Sequence, residues 1–428
     1  MNNKIAILTA LMLVSSLVVF ASAKENRAMI NGLRPMSMGG AFSAIADDEN
    51  AFFYNPAGVT YQHNCLIQVF SVDIAVNTKT FDFYNFYIDN KKGLSDFESL
   101  QYDEKSKLID KILNQALSYT PNIFVSSPNI LFIASPIAIN QNSLNFGFGV
   151  FSYSDLNCNF NRSIFIPSIS YKAQVTGIGI LPVAFKISSL QALQLPGTLS
   201  LGANFKYMYR VKTSTDNMSI DEFKNYDFKA NAFYGTSFGI DFGAIYHLNS
   251  RWKFGLNVSD IYNSKIDYKK LNLGSNKAST STTNNGYSSK INPELNLGAA
   301  YYPEKFYYWF GKYWTTNNKI VFASDLTDLI NSDEPFIETP FKKFHIGTEY
   351  KYDPFVLRIG INSGYPTIGG GLSAGWINFE YAFYGEERGM YAGQDPIWFH
   401  RILLSFQIGK HNKKNKKQKV VKEEKVKN

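Results

Sequence analysis

The chain has 428 residues, a formal net charge of +8, 30 glycines and 16% aromatic residues. Such aromatic and glycine content is foreign to a soluble α/β enzyme and suits a β protein with interfacial aromatic girdles. The charge is unevenly placed. Lys410–Asn428 holds nine lysines against two glutamates, Lys4 falls in an export signal, and the body from Lys24 to Gly409 is neutral, which argues against a nucleic-acid partner for the folded part.

In chain order, residues 1–23 read as a signal peptide. Lys4 is the positive n-region, Ile5 to Phe20 the apolar stretch, and Ala21-Ser22-Ala23 the cleavage site, with no cysteine of a lipoprotein. Residues 24–60 follow, containing "MSMGGAFSAIADDENAFFYNPAG" from Met36 to Gly58. This segment is apolar but too short and interrupted to cross a bilayer. Gly39 and Gly40 permit close packing, Asp47 or Asp48 is expected to cap a short helix, and Pro56 drives Asn55 out of helical geometry and stops it before Ala57.

From residue 61 to 409 period-two segments recur. "GTLSLGANFKYMYR" places Leu199, Leu201, Ala203, Phe205, Tyr207 and Tyr209 on one face, with Met208 breaking the polar face; "SFGIDFGAIYHL" alternates likewise, with Ile245 the exception. Runs of about 10–12 residues fit a tilted membrane-crossing strand. Aromatics gather at their ends, and the polar faces mix glycine with Lys206, Arg210, Asp241, Arg358 and Glu380, which are expected to face a lumen. The fold class is therefore all-β, a transmembrane outer-membrane β-barrel. One insertion, near residues 95–120, has helical spacing at Leu108, Ile109, Ile112, Leu113 and Leu117, and ends at Pro121. Residues 410–428 read as a basic, disordered tail. Cys65 and Cys158 could pair or stay free.

Catalytic patterns are sparse. "GTSFG" (Gly235–Gly239) and "GLSAG" (Gly371–Gly375) match G-x-S-x-G, but both open alternating strands and not a strand–turn–helix elbow. The five histidines are scattered, with no metal-ligand spacing. Neither an enzyme nor a cofactor site is expected.

"GLRPMSMGGAFSAIADDENAFFYNPAG" resembles the N-terminal region of the FadL-like outer-membrane transporters, and more closely the branch of PorV-type proteins and uncharacterised spirochaete relatives. "ASDLTDLI", "FHIGTEYKYDPFVLRIGIN", "GGGLSAGWINFEYAFYGEERG" and "HRILLSFQIG" are similar to that branch in order and spacing. The resemblance implies about fourteen antiparallel strands around an N-terminal hatch, with both termini on the periplasmic side. It implies passage of hydrophobic molecules such as fatty acids through the lumen, and lateral exit through the wall. Gly39, Gly40, Asp47, Asp48, Asn55, Pro56 and Ala57 are the hatch and gating candidates. Such a transporter is expected to carry an apolar pocket between hatch and wall and a kink in one strand, and to partner outer-membrane lipid and the barrel assembly machinery. The alternative is a PorV-type module that binds or shuttles exported proteins.

Overall fold

The computed structural model describes residues 30–409, apart from 97–98, 116–118, 162–167, 192–193, 220–231, 263, 272–285, 308–312, 316–319, 331–335, 353 and 390. The expected signal peptide, residues 24–29 of the hatch and the basic tail lie outside the described residues.

Eighteen segments form one antiparallel sheet, and because three strands are interrupted they make a closed barrel of fourteen. β1 (Leu66–Asn77) pairs with β2, which is split into Asn122–Ser126, Ile130–Ile133 and Ile137–Ile139. Four long strands follow: β3 (Asn142–Asn161), β4 (Ser168–Ile187), β5 (Thr198–Ser219) and β6 (Phe233–His247). β7 (Trp252–Ser259 with Ser264–Lys270) and β8 (Tyr287–Ile291 with Glu294–Tyr301) are each broken once. β9 (Ile320–Leu326), β10 (Phe344–Tyr352), β11 (Phe355–Asn362), β12 (Tyr365–Ala374), β13 (Ile377–Glu387) and β14 (Pro396–Ile408) complete the ring. β14 closes it by pairing with β1 from Ile67↔Ile408 to Asn77↔Phe399.

The alternation decides which face meets which solvent. On β11, Leu357 and Ile359 are 63% and 59% exposed while Arg358 between them is 3% exposed. The apolar side chains point out of the barrel and the charged ones point in, the inverse of a soluble sandwich and the arrangement lipid requires. Aromatic pairs flank this apolar belt. Trp252 packs on Tyr301 and Trp376 on Phe406 at the end carrying the termini; Trp398 stacks on Phe383 at the other.

The core lies inside the barrel and is supplied by the segment Ile30–Gln62. It folds as α1 (Leu33–Ser37), α2 (Ala51–Tyr54) and a 3₁₀ turn (Pro56–Tyr61) joined by loops. Leu33, Met38, Phe42, Ile45, Phe52 and Val59 are all buried. The residues that break the alternation explain themselves here. Met208 and Ile245 point inward and are buried, and Met208 joins Ile178 and Ile180 in the cluster that receives Phe42 and Phe52. A lumen this wide cannot be filled by wall side chains alone, so the wall turns apolar where the plug rests.

Between β1 and β2, at the end away from the termini, stand α3 (Thr78–Ser95) and α4 (Tyr102–Asn114). Helix therefore begins well before the expected insertion at 95. Asn77 starts it, its Oδ1 accepting from Thr80 N at 3.0 Å. The aromatic, poorly periodic run "TFDFYNFYID" hides this helix from a hydrophobic-period reading. Cys65, just ahead of β1, and Cys158, at the far end of β3, are both free thiols. Lying at opposite ends of the barrel, they cannot pair within one chain.

Candidate functional site: the plugged lumen

Backbone meets backbone at a set of paired wall glycines. Gly202 faces Gly243 across β5 and β6, Gly255 faces Gly298 across β7 and β8, and Gly347 faces Gly360 across β10 and β11. A Cβ built on Gly243 would lie 2.7 Å from Pro56 Cδ, one on Gly255 2.7 Å from Ala44 N, and one on Gly360 2.5 Å from Gly39 N. These positions stay glycine because the plug occupies the side-chain space. Within the plug, Gly39 has φ +67°, and a Cβ there would come within 2.5 Å of the Ile346 and Ile361 carbonyl oxygens. Gly40, at φ +85°, lets the chain turn away.

A second set of contacts is polar and directional. Asn55 is extended (φ −165°) between α2 and the 3₁₀ turn. Its Nδ2 donates to Ser43 O at 2.8 Å and, at 3.2 Å each, to Ala244 O and Leu256 O on the wall, while its Oδ1 accepts from Ala57 N. Pro56 and Ala57 lie over Gly202. Asn204 Nδ2 donates to Phe52 O at 2.9 Å, His345 Nδ1 to Gly39 O at 2.8 Å, and Asp325 Oδ2 accepts from Phe42 N and Ser43 N at 2.9 and 2.7 Å. Five wall strands, β5, β6, β7, β9 and β10, thus hold the plug through its own backbone or through Asn55.

Charge supplies the third set. Arg34 of α1 is bound by Glu349 of β10 through Nε–Oε2 at 2.7 Å and Nη2–Oε1 at 2.8 Å, and its Nη1 lies 2.5 Å from Asp47 Oδ1 and 2.7 Å from Asp48 Oδ2. Glu349 also accepts from Arg358, which bonds Glu380 at 2.6 Å. Asp48 divides its oxygens: Oδ2 goes to Arg34, while Oδ1 accepts from Asn50 N at 2.9 Å in the turn that leads into α2. Asn50, next to α2, makes no cap bond of its own and donates its Nδ2 to the same Asp48 Oδ1 at 2.9 Å. In the plug, outside the membrane-spanning strands, burial pushes the Asp47 carboxyl up. Arg34, then Lys351 and Lys253, outweigh that and hold it at about 2.

The other inward residues form separate clusters. Lys206 bridges Asp241 at 2.7 Å and Asp260 at 3.0 Å. Arg210, fully buried, donates to Thr176 Oγ1 at 3.0 Å and Tyr153 OH at 3.1 Å. Ser237 and Ser373 of the two G-x-S-x-G matches sit within β6 and β12.

Two openings adjoin the plug or break the wall pairing. In the wall, β1 and β2 share one register on either side of a gap. Asp73–Val76 pair with residues 123–126 and Leu66–Gln68 with 131–133, but Val69–Val72 have no partner in β2. β1 also bulges there between Gln68 and Phe70. Uncharged polar groups fill the gap: Asn129 Nδ2 donates to Ser71 Oγ (3.2 Å) and Ser126 Oγ (2.9 Å), and Gln68 Nε2 donates to Asn129 O (3.1 Å). The other opening is a cavity of about 300 Å³ between the plug and β8–β13, towards the end away from the termini. Polar and apolar groups share its lining: Glu294, Asp325, His345, Asn362, Glu386 and Glu387, with Met36 and Tyr54 of the plug.

Sequence reading missed Arg34, Glu349, Asp325 and the Gln68–Asn129 network. Glu349 was within reach, since it shares the inward face with Gly347. The others depend on contacts formed only across the folded barrel.

A closed fourteen-stranded barrel, apolar outside between aromatic girdles and stoppered by its own N-terminal segment, defines a transmembrane β-barrel of the outer-membrane type. The chain belongs to the family described as "F plasmid transfer operon, TraF, protein", whose family model matches residues 52–313. No curated protein matches. Among solved structures, the chain is similar to the Pseudomonas putida toluene transporter TodX (12% identity, 90% of this chain and 99% of that one, TM-score 0.46). It is also similar to the Ralstonia pickettii toluene transporter TbuX (10% identity, 88% and 97%, TM-score 0.44) and to a Pseudomonas aeruginosa FadL homologue (11% identity, 91% and 100%, TM-score 0.47).

Proposed function

We propose that the protein is a passive outer-membrane channel in which residues 24–60 act as a hatch. Small hydrophobic or amphiphilic molecules enter the lumen, pass the hatch and leave sideways through the wall between β1 and β2. The observation that carries this reading is the unpaired stretch Val69–Val72 facing the break in β2. An unpaired ladder inside a bilayer is costly unless polar groups satisfy it, so a wall sealed by Ser71, Ser126 and Asn129 is a place where few bonds hold the port shut. The gating residues are Gly39, Gly40, Asp47, Asp48, Asn55, Pro56 and Ala57.

The test is a cross-link. In a Cys65→Ser/Cys158→Ser background, Ser71→Cys and Asn129→Cys would be joined by oxidation. Uptake of a fluorescent fatty acid into proteoliposomes is expected to fall on oxidation and recover on reduction. Uptake indifferent to the bond would end the lateral-exit reading.

A second reading, a module that binds exported proteins, draws on the exposed aromatic stripe Phe81, Tyr84, Tyr87 and Ile88 of α3. Photo-cross-linking from Tyr84 in cells separates the two, because a channel gives lipid adducts there and a shuttle gives one recurrent protein.

A further inference from the structure

The lumenal cavity has a one-sided chemistry. Four carboxylates, Glu294, Asp325, Glu386 and Glu387, line it, and among the described residues no lysine or arginine does. Its only imidazole has both nitrogens engaged. His345 Nδ1 donates to Gly39 O, and Nε2 lies 2.9 Å from Thr327 Oγ1. Nothing basic is left to receive an anionic head group.

The carboxylates are not equally satisfied. Glu387 is saturated, accepting from Tyr365 OH and from the backbone N–H groups of Gly389, Gly393, Gln394 and Asp395. Asp325 is 1% exposed and spends Oδ2 on the plug, yet its Oδ1 is buried with no hydrogen-bond partner. Glu386 accepts no hydrogen bond among the described residues. Arg401, whose charge acts on Glu386 through space, gives its hydrogen bonds to both oxygens of Asp73. A buried, unpaired carboxylate oxygen carries a desolvation cost that a donor removes. Met36 and Tyr54 add apolar surface beside these oxygens.

We infer that this cavity recognises an organic ammonium group on a short apolar tail and disfavours carboxylates. Resting on the channel reading above, this makes the traffic through the lumen amine-bearing or neutral amphiphiles, not free fatty acids. The ammonium would donate to Asp325 Oδ1 and Glu386 while its tail lies along Met36 and Tyr54. A carboxylate of the same length would face four negative charges in a site of low dielectric.

Three probes of one length test this: hexylammonium, hexan-1-ol and hexanoate, titrated calorimetrically at pH 7 into the full chain held in amphipol. Hexylammonium is expected to bind at least about tenfold more tightly than hexanoate, with hexanol between, and added salt should narrow the difference. Glu386→Gln should remove most of the ammonium preference and weaken hexanol far less than hexylammonium. Asp325→Asn should act likewise, and if its plug contacts make it unstable, Glu386→Gln still decides. Hexanoate binding as well as hexylammonium, or a preference that survives Glu386→Gln, overturns the inference. Should hexanol bind and cross proteoliposomes without any ammonium preference, only the charge selectivity falls. Should none of the three bind or cross, the channel reading falls with it.

Discussion

Arg34 in the plug and Glu349 in the wall, 315 residues apart in sequence, are joined by two parallel hydrogen bonds of 2.7 and 2.8 Å. Both side chains are almost fully buried. The bidentate geometry is that of the stronger guanidinium–carboxylate pairs. Buried pairs are weak sources of net stability, but breaking one strands a charge, at a cost of about 3–5 kcal/mol. Glu349→Gln should therefore loosen the plug more than its size suggests, lowering the unfolding midpoint and raising ion conductance in planar bilayers. Because Arg34 also holds Asp47 and Asp48, Arg34→Met alone should cost more than Glu349→Gln, and the double variant should cost less than the sum of the two. A double variant no better than the sum of the singles would place the two residues in independent roles.

The glycine pairs make a positional prediction. Gly243→Val and Gly360→Val put atoms where Pro56 and Gly39 already stand, so each should cost about 1–3 kcal/mol and displace the plug. Gly179→Val is the control, since a Cβ there meets nothing within 4 Å. Conductance should rise in the first two variants only.

Asn55 joins three backbone carbonyls through one amide nitrogen. Asn55→Ala leaves buried acceptors unpaired, at about 1–3 kcal/mol each where no water enters. Asn55→Asp should be worse, since it sets a carboxylate against three carbonyl oxygens. Limited proteolysis of the plug, followed by mass spectrometry, should rank wild type, Ala and Asp in that order of increasing cleavage.

Asp47 gives the pH dependence. Its carboxyl is held at about 2, below the value of an unfolded chain, so its pairing with Arg34 stabilises fully above about pH 4. That contribution is lost as pH falls through about 2. With the side chain one-third exposed, solvent screening makes the effect small. The difference in melting temperature between wild type and Asp47→Asn should be constant from pH 7 to pH 4 and shrink towards pH 2.

The strands were legible because the side-chain period is 2 and lipid reverses which face is apolar. Leu357, Arg358 and Ile359 announce it in three residues. The plug was legible as a segment through its glycines and its Asn55-Pro56 break, and Asn55 indeed sits extended between two helical turns. Its attachments were not. Asp47 and Asp48 suited a helix cap locally, and only the fold brings Arg34 to them with Glu349 on its other side. Met208 looked like noise in the alternation until the plug supplied its partners, and Ile245 likewise turns inward and is buried. The cavity's carboxylates were not legible, because they come from β8, β9 and β13, whose meeting at one cavity no local pattern encodes.

The closing seam has a consequence for how the molecule is built. Asp73 on β1 and Arg401 on β14 meet through bonds of 2.8 and 2.6 Å, yet β14 is the last strand to be synthesised. The stopper precedes β1 and is gripped by β5 to β10, so every strand that holds it is made after it. Until Pro396–Ile408 arrives, β1 and β13 are bare edges whose donors lipid cannot satisfy. One seam therefore does two things: the pairing of β14 with β1 closes the wall and encloses the stopper within it.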